Sequence, residues 1–304
     1  MAGQIVVGVD GSHSAAAAVE WAADDAVRRG ARLRVVHVRE PWSMDYPYRS
    51  APWLPDALTA YWRAVLAATV DWVRGYAPGL QVSATLLTGA AAERLCTEAE
   101  DADELILGGG GPGGFVGAVL GSVGRDVAWH AMAPVVVVNR SPGRRHGEIV
   151  VGYDGSPVSE AAMEYALGEA ARRCARVCVL YAWSAPPFSP YATACAGGLA
   201  EAMGEVTREV RLRLAMWRER CPGVTARLRP MRGHPVTALS DASRRADLVV
   251  VGSGAHGDAT GAGFGGSAGY SVGYEVLRHA RCPVAVVHPR ETAGSRPGGG
   301  VINR

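Results

Sequence analysis

Two kinds of segment in this chain carry residues suited to chemistry. One is a glycine-rich run, Gly108 to Ser122, which reads GGGGPGGFVGAVLGS directly after the apolar Glu104-Leu-Ile-Leu. The other is Asp10-Gly11-Ser12, at the end of an apolar stretch, and its second occurrence as Asp154-Gly155-Ser156. Glycines let a backbone come close to a ligand without a Cβ in the way. Free N–H groups at the following helix start, with the Ser122 hydroxyl beside them, favour an anion. A phosphate suits such a loop. The two familiar phosphate loops do not match it: a Walker A loop needs a lysine, and all 31 basic residues counted as Lys or Arg are arginine. Nor is the spacing that of the dinucleotide fingerprint, G-x-G-x-x-G. In a chain with 39 glycines a cluster alone decides little, so position and repetition carry the weight.

Repetition is plain. Residues 5–12 read IVVGVDGS and residues 149–156 read IVVGYDGS, an offset of 144. The same offset relates Gly89 to Gly233 and Gly108 to Gly252. Near the ends, APVVVVN at 133–139 and CPVAVVH at 282–288 differ by 149, which places five extra residues after Gly252, inside the second glycine loop. Within the first copy, short apolar runs predict strands near 4–9, 33–38, 81–87, 104–108 and 135–138. Between them, helical periodicity predicts helices over 14–29, 54–77, 90–101 and 121–131, the first with Ala17, Val19, Trp21, Ala22 and Ala26 largely on one side. Alternation of this kind predicts βα units and a mostly parallel sheet. The fold class is therefore α/β, as two tandem five-stranded domains. The polar segment SPGRRHG at 141–147 marks the boundary, giving domains over 1–142 and 146–290 and an expected disordered tail over 291–304. The apolar last strands, 134–138 and 283–287, would otherwise be open edges. They are expected to face each other, making an intramolecular pseudo-dimer, with a homodimer left open.

Composition narrows the function classes. Hydrophobic residues make up 48% and charged residues 20% of the chain, with a formal charge of +2 and no apolar run of membrane-helix length. The start, MAGQIVVGVDGS, enters a strand-like run with no leader features. Arginines are scattered among 29 acids rather than gathered in a stripe, so neither nucleic acid nor membrane is an expected partner. Six cysteines without C-x-x-C spacing indicate neither a disulfide framework nor a zinc site; Cys174 and Cys178 are too few ligands for a metal. Reduced thiols in a cytoplasm are the expectation.

Taken together, VGVDGS after the first strand, VVHV at the second, and G-x2-G-x9-G-S before the last helix resemble the universal stress protein family, specifically its ATP-binding branch. The resemblance covers nearly the whole chain and is that of a tandem member. It implies an adenine nucleotide alpha hydrolase-like, Rossmann-like fold and an adenine nucleotide, ATP, as ligand, with Mg left open as a companion. It further implies that Asp10, Gly11, Ser12 and the backbone of Val38 hold adenine and ribose, and that Gly108, Gly111, Gly121, Ser122 and Val123 take the phosphates. In the second copy Asp154, Gly155 and Ser156 are retained, Ala182 stands where Val38 does, and Gly252, Ser271 and Val272 keep their places. Ala255, however, replaces Gly111, and Tyr270 stands at Gly121. A tyrosine at a phosphate-contact glycine is a steric block, although Gly261, Gly263, Gly265 and Gly266 offer a looser cradle. ATP is thus expected mainly in the N-terminal half.

Plainer roles stand beside these. Asp10 also suits a turn or a helix cap. His37, within a strand, is expected to be a core or edge histidine rather than a base. The aromatic segment 40–62 suits a lid or partner surface, but packing of the second helix on the sheet is the simpler expectation. No nucleophile is paired with a base, no carboxylate cluster suits two metals, and no lysine is available. An efficient enzyme is not expected; slow ATP hydrolysis is left open. The function that follows is a nucleotide-dependent stress-response or regulatory protein. The alternatives are an adenylyl-transferring enzyme, whose HIGH or SGGxDS signatures DGSHS does not match, and an interaction module with a vestigial site.

Overall fold

The strand residues Ile5, Val6 and Val7 are all fully buried, as are Leu105 and Ile106. A strand buried on both faces needs helices on both sides, the condition met by parallel sheets. The computed structural model, which describes residues 3–40, 54–110, 121–139, 143, 145–183, 196–254 and 272–289, has that arrangement. The first copy runs β1 (Gln4–Gly8), α1 (His13–Arg29), β2 (Arg32–Arg39), α2 (Leu54–Tyr76), β3 (Val82–Thr88), α3 (Ala91–Glu100), β4 (Glu104–Gly108), α4 (Ser122–His130) and β5 (Val135–Val138). The second runs β6 (Glu148–Gly152), α5 (Pro157–Arg173), β7 (Arg176–Trp183), α6 (Ala196–Arg220), β8 (Ala226–Arg232), α7 (Pro235–Ala242), β9 (Leu248–Gly252), α8 (Val272–His279) and β10 (Val284–Val287). The expected α/β class and five-stranded repeats are both present. The tail over 291–304 lies outside the described residues.

All ten strands form one sheet, in the order β3-β2-β1-β4-β5-β10-β9-β6-β7-β8. Every neighbouring pair is parallel except β5 and β10, which run antiparallel with Val137 opposite Val284, Val136 opposite Ala285 and Val135 opposite Val286. The expected meeting of the last strands is thus a continuous ladder, and it buries what would be two apolar edges. In each half the order reverses between the first strand and its neighbour β4 or β9, the topological switch point at which open α/β sheets leave a crevice.

Local sequence sets the element ends nearest that crevice. Ser12 caps α1, its Oγ accepting the Ala15 N–H at 3.1 Å, and Ser156 caps α5 in the same way through Ser159, at 3.2 Å. Asp10 accepts the Ser12 N–H at 2.9 Å and Asp154 the Ser156 N–H at 2.9 Å. Gly11 and Gly155 between them have φ of 77° and 85°, a left-handed conformation that costs a side chain dearly. The Asp-Gly-Ser repeat is therefore first of all a strand-to-helix turn. The cap is Ser12 rather than Asp10.

Helices α1 and α5 lie side by side across the seam and share a buried ionic cluster. Arg29 bonds Asp25 at 2.5 Å and Glu169 at 2.6 Å and contacts Glu104, while Arg173 bonds Asp25 at 2.8 Å and Glu169 at 2.7 Å. Asp25 and Glu169 occupy equivalent places in the two copies, so each half's arginine reaches the other half's acid. The carboxylates of Asp25, Glu104 and Glu169 do cluster within 4.8 Å, which the sequence did not indicate, but two guanidinium groups already sit among them. Burial, and then the negative charge of Asp25, push the Glu104 carboxyl up to about 8. Burial opposes the charge of Arg29, but the Glu104, Asp25 and Glu169 carboxylates outweigh it and raise its pKa.

Candidate functional site

At the switch point of the first half lies a cavity of about 390 Å³. One wall is the end of β1 with Val9 and Asp10 after it. Asp10 lines the cavity, and Ser12 and the adjacent Ser14 tie the turn to the start of the glycine loop: the Ser14 Oγ donates to the Gly110 carbonyl at 2.6 Å and the Ser12 Oγ to the same oxygen at 3.3 Å. Ser14 had no assigned role from sequence. Its counterpart in the second copy is Val158, which cannot make this link.

The opposite wall is the start of α4. Gly121 is its N-cap, and Gly121, Ser122, Val123 and Gly124 all line the cavity. The Gly121 N–H donates to the Gly109 carbonyl at 3.3 Å, and the Arg125 N–H closes the first helical turn onto the Gly121 carbonyl. The N–H groups of Ser122, Val123 and Gly124 precede that first turn and have no acceptor within the helix, so they present partial positive charge at the cavity.

The floor is formed by strand ends. The Val9 N–H donates to the Val36 carbonyl at 2.8 Å, which fixes which residues of β2 turn their polar groups towards β1. Two residues on, Val38 turns its N–H and C=O the same way, past the end of β1 and into the cavity that it lines. A donor and an acceptor side by side on one edge match the hydrogen-bonding edge of a purine such as adenine.

The upper part of the cavity holds residues that spacing did not single out. Trp62 of α2 stacks on His37, their ring centroids 3.7 Å apart at 21°, and both line the cavity. The His37 Nδ1 bonds the Val9 carbonyl at 2.7 Å, and burial lowers its pKa despite that bond. A neutral, stacked imidazole is the packing role expected of His37, placed at the site's edge. For the aromatic segment, α2 packs on β2 and β3 as expected, and Trp62 adds a cavity wall; residues 41–53 lie outside the described ones.

Glycine at 108 has a structural cause of its own. A Cβ there would lie 2.7 Å from backbone atoms of Ser14 and Ala15, so the close crossing of β4 and α1 requires glycine with or without a ligand. Gly252 repeats this in the second half, 2.9 Å from the Val158 carbonyl oxygen. Gly111, Ser271, Ala255, Tyr270 and the five extra residues of the second loop lie outside the described residues.

The second half keeps the turn through Asp154, Gly155 and Ser156, and Ala182 holds the place of Val38, while Val272 begins α8. It differs at two of the positions that line the first-half cavity. Tyr153 and Tyr181 stand at the positions of Val9 and His37 and are 4% and 9% exposed. The Tyr153 hydroxyl bonds Glu160, which also takes Arg213 at 2.7 Å and the Trp217 indole N–H at 3.0 Å. Two larger aromatic side chains thus stand where Val9 and His37 line the first-half cavity.

A doubly wound unit written twice, joined edge to edge, with an open cleft at a switch point, defines a class: tandem α/β proteins with a cleft at the strand carboxyl ends. The family model described as the universal stress protein family matches residues 1–139 and again 146–288. A universal stress protein of Mycobacterium tuberculosis is 34% identical over 296 residues, covering 93% of this chain and 96% of its own. Another, of Mycolicibacterium smegmatis, is 32% identical over 300 residues, covering 94% and 97%. Among solved structures, a universal stress protein from Archaeoglobus fulgidus superposes with a TM-score of 0.66 at 16% identity, covering 94% of this chain and 96% of that one, which speaks to the fold. The chain belongs to the universal stress protein family, as a tandem two-domain member.

Proposed function

We propose that the N-terminal half binds ATP and that occupancy of this one site makes the chain a nucleotide-dependent regulatory protein of the cytoplasm. The observation that carries the reading is the cavity of about 390 Å³ bounded by Val38, Asp10 and the start of α4. Its size is that of a small-molecule site. The Val38 backbone offers the adenine edge a donor and an acceptor, and Asp10 lies where a ribose hydroxyl would need an acceptor. The free N–H groups of Ser122, Val123 and Gly124 offer the phosphates what a helix start generally offers an anion. Nothing in this chemistry calls for a side-chain base, and His37 is held neutral against Trp62. The free thiols of the five described cysteines accord with a reducing compartment.

Binding of one ATP per chain is the second part of the reading, since the larger side chains of Tyr153 and Tyr181 stand where Val9 and His37 line the cavity of the first half. The test is calorimetric titration of the full chain with ATP, repeated on Gly121→Val. Gly121 has φ −59° and ψ 148°, an extended conformation open to any residue, so the fold is expected to survive while ATP binding is abolished. Two equivalent sites, or one site that survives the substitution, would place the working cleft elsewhere. No binding to the unaltered chain would leave an interaction module with a vestigial site.

A further inference from the structure

At the opposite end of the sheet, where strands begin, the seam between the halves opens into a second cleft of about 380 Å³. Its walls are the ends of α1 and α5 and the segments leading into β6, β9 and β10. Six arginines line it: Arg28, Arg145, Arg172, Arg173, Arg244 and Arg281. We propose that this cleft binds a small anion carrying two or more phosphate groups, at a site separate from the nucleotide cleft.

Arginines at helix ends have a plainer use, because they offset the helix dipole, and several of these are spent on partners. Arg173 lies over the Trp21 ring at 4.2 Å and bonds Asp25 and Glu169, while Arg172 bonds Glu169 at 2.8 Å. What the plain use leaves unexplained is a pair of orphaned donors. The Arg28 Nε and the Trp21 Nε1 are both buried and have no hydrogen-bond partner among the described residues, and both residues line the cleft. Both atoms are donors only, and a buried donor without an acceptor keeps the full penalty of its lost hydration. The acids lining the cleft do not supply the missing acceptors. Asp247 accepts the N–H groups of His146 and Gly147 at 2.6 and 2.8 Å, and Asp24 takes the Tyr76 hydroxyl at 3.0 Å and Arg145 at 3.4 Å; the terminal nitrogens of Arg28 reach Asp24 at 3.7 Å and Asp25 at 3.3 Å, but its Nε reaches neither. Arg281 has no carboxylate partner among the described residues.

Charge points the same way. Burial, and after it the positive charge of Arg173, lower the pKa of Arg28 in spite of Asp25 and Asp24, so Arg28 is a cation short of water with a second cation beside it. A ligand rich in acceptors and negative charge relieves both defects at once. Phosphate groups suit planar guanidinium forks, which grip them through paired N–H donors, and the volume admits a linked pair of phosphates rather than a single ion.

Inorganic pyrophosphate is the probe, titrated calorimetrically into the full chain carrying Gly121→Val, so that the first cleft does not compete. Saturable one-to-one binding is expected, weakened about tenfold or more by Arg28→Gln and by Arg281→Ser, with far-UV dichroism unchanged. Because Arg281 is exposed, its variant keeps the test open even if Arg28→Gln fails to fold. No binding at millimolar pyrophosphate, or binding that Arg281→Ser leaves untouched, overturns the proposal. Neither result bears on ATP in the first cleft.

Discussion

Glu104 is the residue whose chemistry departs furthest from its type. It is fully buried, with one oxygen at Arg29 and the other without a hydrogen-bond partner. Its carboxyl titrates near 8 in the folded chain against an ordinary value of 4.5. The folded state therefore keeps a proton that the unfolded chain releases. This contribution to stability is fully present below about pH 4.5 and is lost as pH rises through about 8. Glu104→Gln preserves shape and cannot ionise. The expected outcome is a variant close to the parent at pH 5 and more stable by about 1–3 kcal/mol at pH 9, as read from denaturant unfolding at both values. A variant less stable at pH 9 would mean that the ionised Glu104–Arg29 pair is a net gain. None of this was visible in sequence. The partners of Arg29 lie 75 and 140 residues away, and no local pattern announces a charge that is satisfied at such a distance.

Elements were far more readable than contacts. Strands β2, β4 and β5 and helices α1 to α4 lie within about one or two residues of their expected ends, because apolar runs and helical periodicity are local signals and each was available twice. The cavity was readable to the extent that backbone makes it: Asp10, Val38, Gly108 and Gly121 to Val123 line it, while Gly11 and Ser12 form the turn beside it. Trp62 and Ser14 were missed, since a tryptophan on a helix reads as core and a serine after a cap reads as surface. The glycines divide along the same line. A Cβ on Gly108 or Gly252 meets backbone within 3 Å, whereas one on Gly204, inside α6, meets nothing within 4 Å. Gly252→Ala is therefore expected to cost about 1–3 kcal/mol by overpacking. Gly204→Ala should add about 0.5–1 kcal/mol of helix propensity. Thermal melts of the two variants check the contrast, and a neutral Gly252→Ala would show that β9 and α5 can part without penalty.

At the scale of the whole molecule, the seam determines what the tandem arrangement achieves. Strand β5 is four valines, all fully buried, and its ladder to β10 is antiparallel. An antiparallel edge can pair with a second copy of itself, and the Asp25 and Arg29 pair on α1 can meet its own copy as it now meets Glu169 and Arg173. A fragment ending at residue 142 is therefore expected not to remain a monomer. It exposes an apolar edge with no charge or proline in the strand to protect it, above a helix face that needs a counter-charge. Sedimentation of this N-terminal fragment should show a dimer at micromolar concentration. Adding the complementary C-terminal fragment should convert it to a mixed pair, because Arg29 of the first half is already fitted to the second half's Glu169. Asp25→Ala in the fragment should weaken self-association, as it leaves each Arg29 with Glu104 alone, whose carboxyl burial pushes up to about 8, and without the acid that bridges the two copies. A fragment that stays monomeric, or dimerises as well with Asp25→Ala, would mean that the covalent linker, and not strand and charge complementarity, holds the two halves in register.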